Sequence, residues 1–369
     1  MPTREATKTT RIELGGVLTR TVGIPPAGFQ IPADAIWYPP GAYGDITLST
    51  SDVYITAEAG ATFGTITVDD VDNVTLDGLT MDYIKAENTG FATNCTVRRC
   101  TGKGVHLNTA ATGAGIPAPS GWTIEYNDLT GGSYCLLVKS HGPGYPTLYN
   151  TLIQHNRLGN PTTDAIQCAG YDGLTVYHNE FFGVIETGAH NDGLQSVWGG
   201  ANMTFTHNYW HHNRCQPFFI KDGYVDTVVL AENLSIYNRE PGLGASVTNI
   251  YQVSDLTMYN NTFWDGAGFL LRDGQNYETE WPNGPLGPME IHHNVIDVFT
   301  PLDAATYLVP GVLDEHDNVF GGGWSWVPGN MGPGSIQDAS PDFVDWQISG
   351  YGITWNPAEQ VYGVAAFSS

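Results

Sequence analysis

The sequence predicts an all-β fold: a single-stranded right-handed parallel β-helix, a solenoid with three short strands in each of about ten coils. Three observations predict it: a repeated Asn motif, a composition rich in turn-forming residues, and the lack of a sustained helical apolar stripe. The motif is an apolar residue, two variable residues and Asn, with another apolar residue two places on. Repeats of 20–50 residues are typical of solenoids, because one repeat cannot bury its own apolar face.

The Asn motif recurs with spacings of 29, 23, 29, 25, 28 and 33 residues. Its members are Asn127, Asn156, Asn179, Asn208, Asn233, Asn261 and Asn294. The frame is also present around Asp77, Cys100 and Asn318. We expect each Asn at a sharp corner, since Asn tolerates left-handed backbone angles and its amide can bond to the equivalent Asn one coil away. His155, His178 and His207 precede such an Asn, and we interpret them as turn or surface residues.

The composition supports many short strands in one elongated domain. The 369 residues include 45 Gly and 22 Pro, which favour tight turns over long helices. The segment 1–45 contains two Pro-Pro pairs, and the segment 321–369 is rich in Gly and Trp. We therefore expect an N-terminal cap or attachment segment at 1–45, the β-helix at 46–320 and a C-terminal cap at 321–369.

The charge excludes some partners. With 14 Lys and Arg against 38 Asp and Glu, the formal net charge is −24. Such a surface repels nucleic acid and anionic membranes. No apolar run approaches the ~20 residues of a membrane span. The first ten residues are polar and unlike a signal peptide, so we expect either a removed export signal or another route out of the cell, to an extracellular or virion location.

The five cysteines form no Cys-x-x-Cys pair. Cys135, Cys168 and Cys215 fall in comparable strands of three repeats. We expect them to be small apolar fillers of an internal stack and not disulfides or zinc ligands.

Polar residues concentrate on one strand of the coil and on the loop that enters it. Aligned coil by coil, this region contains Lys139, Asp164, Gln167, His190, Asp192, Gln195, Trp198, His212, Arg214, Gln216, Lys221, Asp222 and Arg272. Outward side chains at matching positions of successive coils form rows along the solenoid axis. The sequence therefore predicts a substrate-binding row, with Trp198 as one of several aromatic residues that can stack on sugar rings.

Asp164 and Asp192 are the candidate catalytic pair. One coil apart, their carboxyls can approach to roughly 5 Å. Like charges at that distance raise one pKa, so that one carboxyl can protonate a glycosidic oxygen while the other activates water. His190 lies beside the pair in sequence. Each Asp alone is also compatible with a structural turn into a strand.

Proton abstraction beside a uronate carboxyl is the alternative chemistry. Lys221 or Lys139 could be the base, with Arg214 or Arg272 pairing the substrate carboxylate. No cofactor is required for hydrolysis, but Ca²⁺ is possible, because Asp164, Asp192 and Asp222 offer hard oxygen ligands. No metal site is predicted outright, since the chain has no dense Asp run.

The Asn ladder together with the strand starts Asp164-Ala-Ile and Asp192-Gly-Leu resembles the pectate-lyase-type right-handed β-helix superfamily. Thr162-Thr-Asp164 and His190-Asn-Asp192 are similar to the strand entry of polygalacturonase-type hydrolases, and Phe219-Ile-Lys221 is similar to their later Arg-Ile-Lys. Neither Asp164 nor Asp192 stands next to a second Asp, as in their Asp-Asp pair, and the sequence lacks their Gly-His-Gly. The unprocessed Met1, the acidic charge and the Gly- and Trp-rich end also resemble phage tail-spike proteins, a resemblance that implies a homotrimer or contacts with other virion tail proteins.

These observations give three functional hypotheses. The first is a tail-spike-like phage protein that binds and cleaves an extended cell-surface or extracellular polysaccharide. The second is a secreted polysaccharide lyase acting on a uronate-containing glycan. The third is a non-catalytic structural or adhesive tail protein whose polar rows are solvated ladders. None of them involves nucleic acid or membrane insertion.

Overall fold

The computed structural model describes residues 31–87, 91–109, 117–140, 145–185, 191–221, 223–236, 246–251, 253–272, 287–301, 312–321 and 332–337. The candidate residues His190 and Asp222, and most of the two predicted terminal segments, lie outside these residues. The backbone of Arg272 is described but its side chain is not.

The described residues form strands and turns, and no helix among them is long and apolar enough to cross a membrane. The strands in the first part of the chain are β1 (Ile36–Tyr38), β2 (Gly41–Ala42), β3 (Ile46–Leu48), β4 (Tyr54–Ala57), β5 (Ala61–Val68), β6 (Val71–Asp72), β7 (Thr75–Asp77), β8 (Thr80–Glu87), β9 (Ala92–Thr93), β10 (Thr96–Arg98), β11 (Thr101–Gly102) and β12 (Gly104–Asn108). Those in the middle are β13 (Thr123–Glu125), β14 (Asp128–Thr130), β15 (Leu136–Lys139), β16 (Leu148–Gln154), β17 (Arg157–Gly159), β18 (Ile166–Ala169), β19 (Tyr171–Tyr177), β20 (Glu180–Phe182), β21 (Asp192–Ser196), β22 (Gly200–Thr206), β23 (Tyr209–His211) and β24 (Gln216–Ile220). Those in the last part are β25 (Val225–Ala231), β26 (Leu234–Ile236), β27 (Ser246–Tyr251), β28 (Leu256–Tyr259), β29 (Thr262–Arg272), β30 (Met289–His292), β31 (Val295–Pro301), β32 (Leu313–His316), β33 (Val319–Phe320) and β34 (Ile336–Gln337).

Each strand pairs in parallel with its counterpart in the next coil, which confirms the predicted solenoid. The long sheet contains twelve strands in the order β1-β4-β7-β10-β13-β16-β19-β22-β25-β28-β30-β32. Strands that follow the Asn corner, such as β14, β17, β20 and β23, form the second sheet. The third sheet contains β12, β15, β18, β21, β24 and β27. A separate short pair joins β6 and β9.

The regular part of the solenoid has about eight turns, slightly fewer than the ten predicted. Three strands per coil are visible where the segments are separate, for example β19, β20 and β21. In coils such as β28 and β29, the second and third segments merge into one long strand. The motif repeat therefore predicted the type of coil correctly.

The Asn ladder runs along one corner from Asn127 to Asn318. At each step the side-chain amide donates to the side-chain oxygen of the next Asn, for example Asn179 Nδ2 to Asn208 Oδ1 at 3.1 Å. The same oxygen accepts the backbone N–H of Asn179 at 2.9 Å, and Asn208 Nδ2 donates to the carbonyl oxygen of Val176 at 2.9 Å. Because these residues are buried, the ladder satisfies polar groups that the corner would otherwise leave unpaired.

The left-handed residue of this corner is the one before the Asn, which corrects the expectation that the Asn itself takes that conformation. His155, His178 and His207 have φ values of 56°, 59° and 58°. The side-chain amide of the following Asn bonds within the corner, as that of Asn179 does to Ile153 O and Asn208 Oδ1. His178 is buried between neighbouring rings, with its ring centroid 4.9 Å from that of His155, so it is a turn residue but not a surface one.

A continuous apolar core fills the solenoid. Its central stack includes Trp210, whose ring lies 4.8 Å from each of Phe181 and Phe205. All five cysteines are free and buried, as expected for apolar fillers. Burial raises the pKa of the Cys135 and Cys168 thiols to about 12, so both stay protonated and unreactive near neutral pH.

Candidate functional site

The third sheet places the two candidate aspartates side by side. Ile166 pairs with Leu194 and Gln167 with Gln195, so Asp164 and Asp192 occupy equivalent positions one coil apart. The register follows from the sequence, because Ile166 and Leu194 are both buried in the core. In the next coil, Gln216 takes the same position as Asp192.

A directed hydrogen-bond network joins these residues. Lys139 Nζ donates to Gln167 Oε1 at 3.2 Å. Gln167 Nε2 donates to Asp164 Oδ2 at 3.1 Å and to Gln195 Oε1 at 2.8 Å, and Gln195 Nε2 donates to Asp192 Oδ2 at 2.9 Å. The backbone N–H of Asp192 donates to Asp164 Oδ1 at 2.8 Å. We name the four residues Asp164, Gln167, Asp192 and Gln195 the Asp–Gln ladder.

The Asp–Gln ladder is buried, which corrects the expectation of an open outward row of carboxyls. Asp164 is 2% and Asp192 0% exposed, while Gln167 and Gln195 are 8% and 7% exposed. In each of the two coils, a glutamine amide donates a hydrogen bond to the carboxylate. A substrate can therefore reach the glutamines at the edge of the site, but it reaches either carboxylate only if a glutamine side chain turns away.

Lys139 and Trp198 form the more accessible part of this region. Both are half-buried, and Lys139 Nζ lies 4.0 Å from the centre of the Trp198 ring. Burial lowers the pKa of Lys139, although the charge of Asp164 opposes that shift. The cation therefore has an aromatic face on one side and the glutamine network on the other.

Sequence reasoning missed Tyr134 and His106, which lie near this region. Tyr134 is half-buried next to the ladder, and its pKa is raised by burial and by the charge of Asp164. His106 Nδ1 lies 3.2 Å from Glu87 Oε1, and its ring packs on that of Tyr83 with centroids 4.9 Å apart. The third sheet aligns His106 with Leu137, so a continued alignment of the repeat into the earlier coils could have found it.

The remaining candidates are spread along the next coil. Gln216 begins β24, Lys221 directly follows it with Nζ 5.4 Å from the centre of the Phe219 ring, and Arg214 is held by its backbone N–H donating to the carbonyl oxygen of Val184. His212 is exposed at the corner before β24 and contacts His211. These residues flank the Asp–Gln ladder, but none of the described contacts joins their side chains to it.

Within the described part of the chain, no group of three or more His, Cys, Asp or Glu side chains could hold a metal ion. Asp222, one of the possible calcium ligands, lies outside that part. The possibility of Ca²⁺ therefore stays a prediction.

Comparison with known proteins assigns the family. The model of the right handed beta helix region matches residues 77–263, which is half of the 369-residue chain. The chain belongs to the right-handed β-helix family. The match covers the Asp–Gln ladder and the regular turns around it.

Two kinds of solved structure are similar to this chain. The surface protein and adhesin PfbA of Streptococcus pneumoniae shares 11% identity with a TM-score of 0.50, covering 78% of this chain and 91% of that one. The A-module of a mannuronan C-5 epimerase of Azotobacter vinelandii shares 12% identity with a TM-score of 0.40, covering 82% and 90%. A sequence search of curated proteins finds no match.

Proposed function

We propose that the protein binds an extended, uncharged polysaccharide along the outer face of the third sheet, beside the Asp–Gln ladder. The observation that carries this proposal is the directed network from Lys139 through Gln167 to Gln195, bordered by Trp198. It combines fixed amide groups with a half-buried aromatic face, which are the two surfaces that a sugar ring with its hydroxyls requires.

The solenoid geometry favours an extended ligand. Gln167 and Gln195 occupy the same position in neighbouring coils, and parallel strands lie ~4.8 Å apart. A linear chain lying along the axis meets the same type of group in successive coils. The net charge of −24 disfavours a polyanionic chain, so a neutral glycan fits better than a polyuronate.

Cleavage at the Asp–Gln ladder is the second candidate function, and the aligned carboxylates of Asp164 and Asp192 favour it. For hydrolysis, the glutamine amides must rotate away so that one carboxyl can protonate the glycosidic oxygen while the other activates water. We expect Asp192→Asn to abolish any cleavage, measured at a temperature at which the variant is still folded. Full cleavage in that variant removes Asp192 from catalysis.

We further propose a virion tail as the setting, with a homotrimer or other tail proteins as partners. The acidic surface and the solenoid support this proposal, because both suit a long, non-aggregating fibre component. Light scattering on the purified protein tests the trimer. A monomer at all concentrations contradicts it.

A glycan panel tests binding and cleavage together. We expect the wild type to bind at least one neutral polysaccharide, and Gln195→Leu to lose at least about tenfold in affinity. The matched control is Gln154→Leu on the long sheet, where Gln154 Nε2 donates to Glu125 Oε2 at 2.7 Å, and it should bind normally.

The products of the same panel separate the chemistries. New reducing ends without near-ultraviolet absorbance indicate hydrolysis, whereas unsaturated, absorbing products indicate a lyase. Binding without either product supports an adhesive protein. No binding to any neutral glycan, or equal loss in the Gln154 control, contradicts the proposed binding face.

A further inference from the structure

A second polar cluster lies on the outer face of the second sheet. β20 and β23 are neighbours there, with Glu180 paired to Tyr209 and Phe182 to His211. Glu180 and His211 are each 2% exposed, which is unusual for a carboxylate and an imidazole. His212, the next residue along the chain, is exposed. The cluster therefore connects a buried carboxylate with the surface.

Two short hydrogen bonds make the connection. His211 Nε2 lies 2.9 Å from Glu180 Oε1, and His211 Nδ1 lies 2.8 Å from His212 Nδ1. A carboxylate only accepts, so His211 Nε2 is the donor and His211 Nδ1 is left with its lone pair. His212 Nδ1–H then donates to that lone pair. This assignment leaves a lone pair on His212 Nε2, so that nitrogen can accept a proton.

Packing fixes the cluster in place. The ring of Tyr209 stacks on His211 with centroids 4.5 Å apart. Arg157 Nε lies 3.9 Å from Glu180 Oε2, and the guanidinium lies 3.9 Å from the centre of the Phe182 ring. Arg157 Nη1 also donates to Asp128 Oδ1 at 3.3 Å. The carboxylate of Glu180 is thus held between a cation and an imidazole N–H.

The charge state suits a base. Partial burial of the ring, and then the neighbouring His211, lower the pKa of His212, so its ring is mostly neutral near pH 7. When His212 takes a proton, its new positive charge is linked to the carboxylate of Glu180 through the hydrogen bonds of His211. A buried carboxylate placed behind an imidazole stabilises the imidazolium that forms in this way. The cluster therefore supports proton removal from a bound reactant.

The reactions that such a base could perform on a polysaccharide differ in the proton donor they need and in the charge of their substrate. Glycosidic hydrolysis needs a strong proton donor, which a neutral imidazole is not. Elimination at a uronate needs an anionic chain, which the net charge of −24 repels. Hydrolysis of an acyl ester on a neutral glycan can begin with a base that activates water, and it needs neither a strong proton donor nor an anionic chain. That reaction matches the cluster and the surface charge.

We propose that Glu180, His211 and His212 form a proton relay that hydrolyses O-acyl esters of a polysaccharide. His212 Nε2 removes a proton from water, and the water oxygen forms a bond to the acyl carbon. The bond from that carbon to the sugar oxygen then breaks, and the proton on His212 passes to the sugar oxygen. The products are a free sugar hydroxyl and a carboxylic acid. The inference that the ester is on a polysaccharide rests on the proposed polysaccharide binding, whereas the relay itself does not.

A small ester separates the relay from glycan binding. With 4-nitrophenyl acetate we expect hydrolysis whose rate rises with pH through the titration of His212. His212→Asn, which tolerates the left-handed backbone at φ 54°, should reduce the rate at least about tenfold. Glu180→Gln should also reduce it and should lower the His212 midpoint measured by NMR, because the carboxylate no longer stabilises the imidazolium. Equal rates in the wild type and His212→Asn overturn the proposal.

The chain contains a matched control for this experiment. His292 and His293 form the same contact, with their Nδ1 atoms 2.8 Å apart. His292 is more exposed than His211, and its carboxylate neighbour Glu290, 3.7 Å away, lies on the surface. His293→Asn should leave the rate unchanged. If Glu180→Gln also lowers the melting temperature, Glu180→Asp at the same temperature should restore part of the rate, and the NMR midpoint reports on the relay independently of turnover.

Acetylated xylan provides the glycan test. We expect the wild type to release acetate from it, or from another O-acetylated neutral glycan, and His212→Asn not to. Glycan binding without acetate release from any of them overturns the ester proposal and leaves the binding face intact. His212-dependent cleavage of the small ester without any glycan binding contradicts the proposed function but keeps the relay.

Discussion

The Asn ladder and the Asp–Gln ladder both join equivalent residues of successive coils by side-chain hydrogen bonds. Only the Asn ladder can be repeated without limit. An Asn amide both donates and accepts, so each rung satisfies the next, from Asn127 to Asn318. A carboxylate only accepts, so Asp164 and Asp192 need glutamine amides as donors, and Gln167 in turn accepts from Lys139. A neutral ladder can therefore support a whole solenoid, whereas a charged ladder is local and indicates a specialised site.

Exchanging the chemistry of the two ladders is the strongest test of this comparison. Asn208→Asp places a carboxylate where Asn208 Nδ2 now donates to Val176 O and Asn233 Oδ1. The new carboxylate oxygen then faces two hydrogen-bond acceptors, and its buried negative charge has no cation to pair with. We expect a loss of about 3–5 kcal/mol in the free energy of unfolding at pH 7, measured with urea.

The control for this exchange is Asn202→Asp on the exposed long sheet, where Asn202 Nδ2 donates to Asp172 Oδ1 at 2.7 Å. It also places a carboxylate against a hydrogen-bond acceptor, here another carboxylate, but in solvent, and it should cost less than about 1 kcal/mol. Equal losses at the two positions contradict the distinction between buried and exposed amides.

The reverse exchange should cost less. In Asp164→Asn the amide oxygen can still accept the N–H of Asp192, but the new NH₂ faces Gln167 Nε2, which is also a donor. Gln167 cannot turn its amide round without facing Lys139 with a donor. We expect a loss of about 1–2 kcal/mol by urea unfolding. Asp128→Asn, at a surface pair with Arg157, should change stability by less than about 0.5 kcal/mol. If Asp164→Asn is more stable than the wild type, the desolvation of the carboxylate costs more free energy than its hydrogen bonds contribute.

A substitution at a third type of turn, within the strands of the long sheet, should change stability less and in the opposite direction. Asn150, Gly173, Asn202 and Thr227 align there, between paired residues of neighbouring strands. Thr227 has φ 59°, which is unfavourable for a β-branched residue. Thr227→Asn should stabilise by about 0.5–1 kcal/mol. A destabilised variant indicates that the Thr side chain makes a contact worth more than its backbone strain.

The pH dependence beside the Asn ladder gives the smallest effect. Burial lowers the pKa of His207, with Glu232 opposing, so the unfolded chain binds more protons just below pH 6.5. Its contribution to stability is complete above pH 6.5 and is lost as the pH falls through the folded pKa. The hydrogen bond to Asp317 raises the pKa of His316, so the contribution of His316 is complete below pH 6.5 and is lost as the pH rises through its folded pKa.

Urea unfolding at pH 7.5 and pH 5 measures both histidines. Relative to wild type, His207→Asn should lose less stability on acidification, and His316→Asn should lose more. Identical slopes in the two variants contradict the assigned directions.

The sequence predicted the family and the aligned aspartates because both depend on a period that can be counted. Asp164 and Asp192 each stand two residues before a core residue, so their register follows from the pattern of burial. Their burial beneath Gln167 and Gln195 could not be predicted, because it depends on which way side chains turn at a corner. The Glu180–His211 contact was missed although its signal existed: the two residues are the first and third after successive ladder asparagines. What the motif could not give was His212 turning back onto His211.

The five free, buried cysteines have a consequence for where the protein can be made. No covalent cross-link holds the solenoid, so its assembly requires neither an oxidising environment nor an isomerase. The thiols lie inside the apolar core, out of reach of oxidants outside the cell. The same folded chain can therefore be completed in a reducing cytoplasm and then operate in air-exposed surroundings without chemical change.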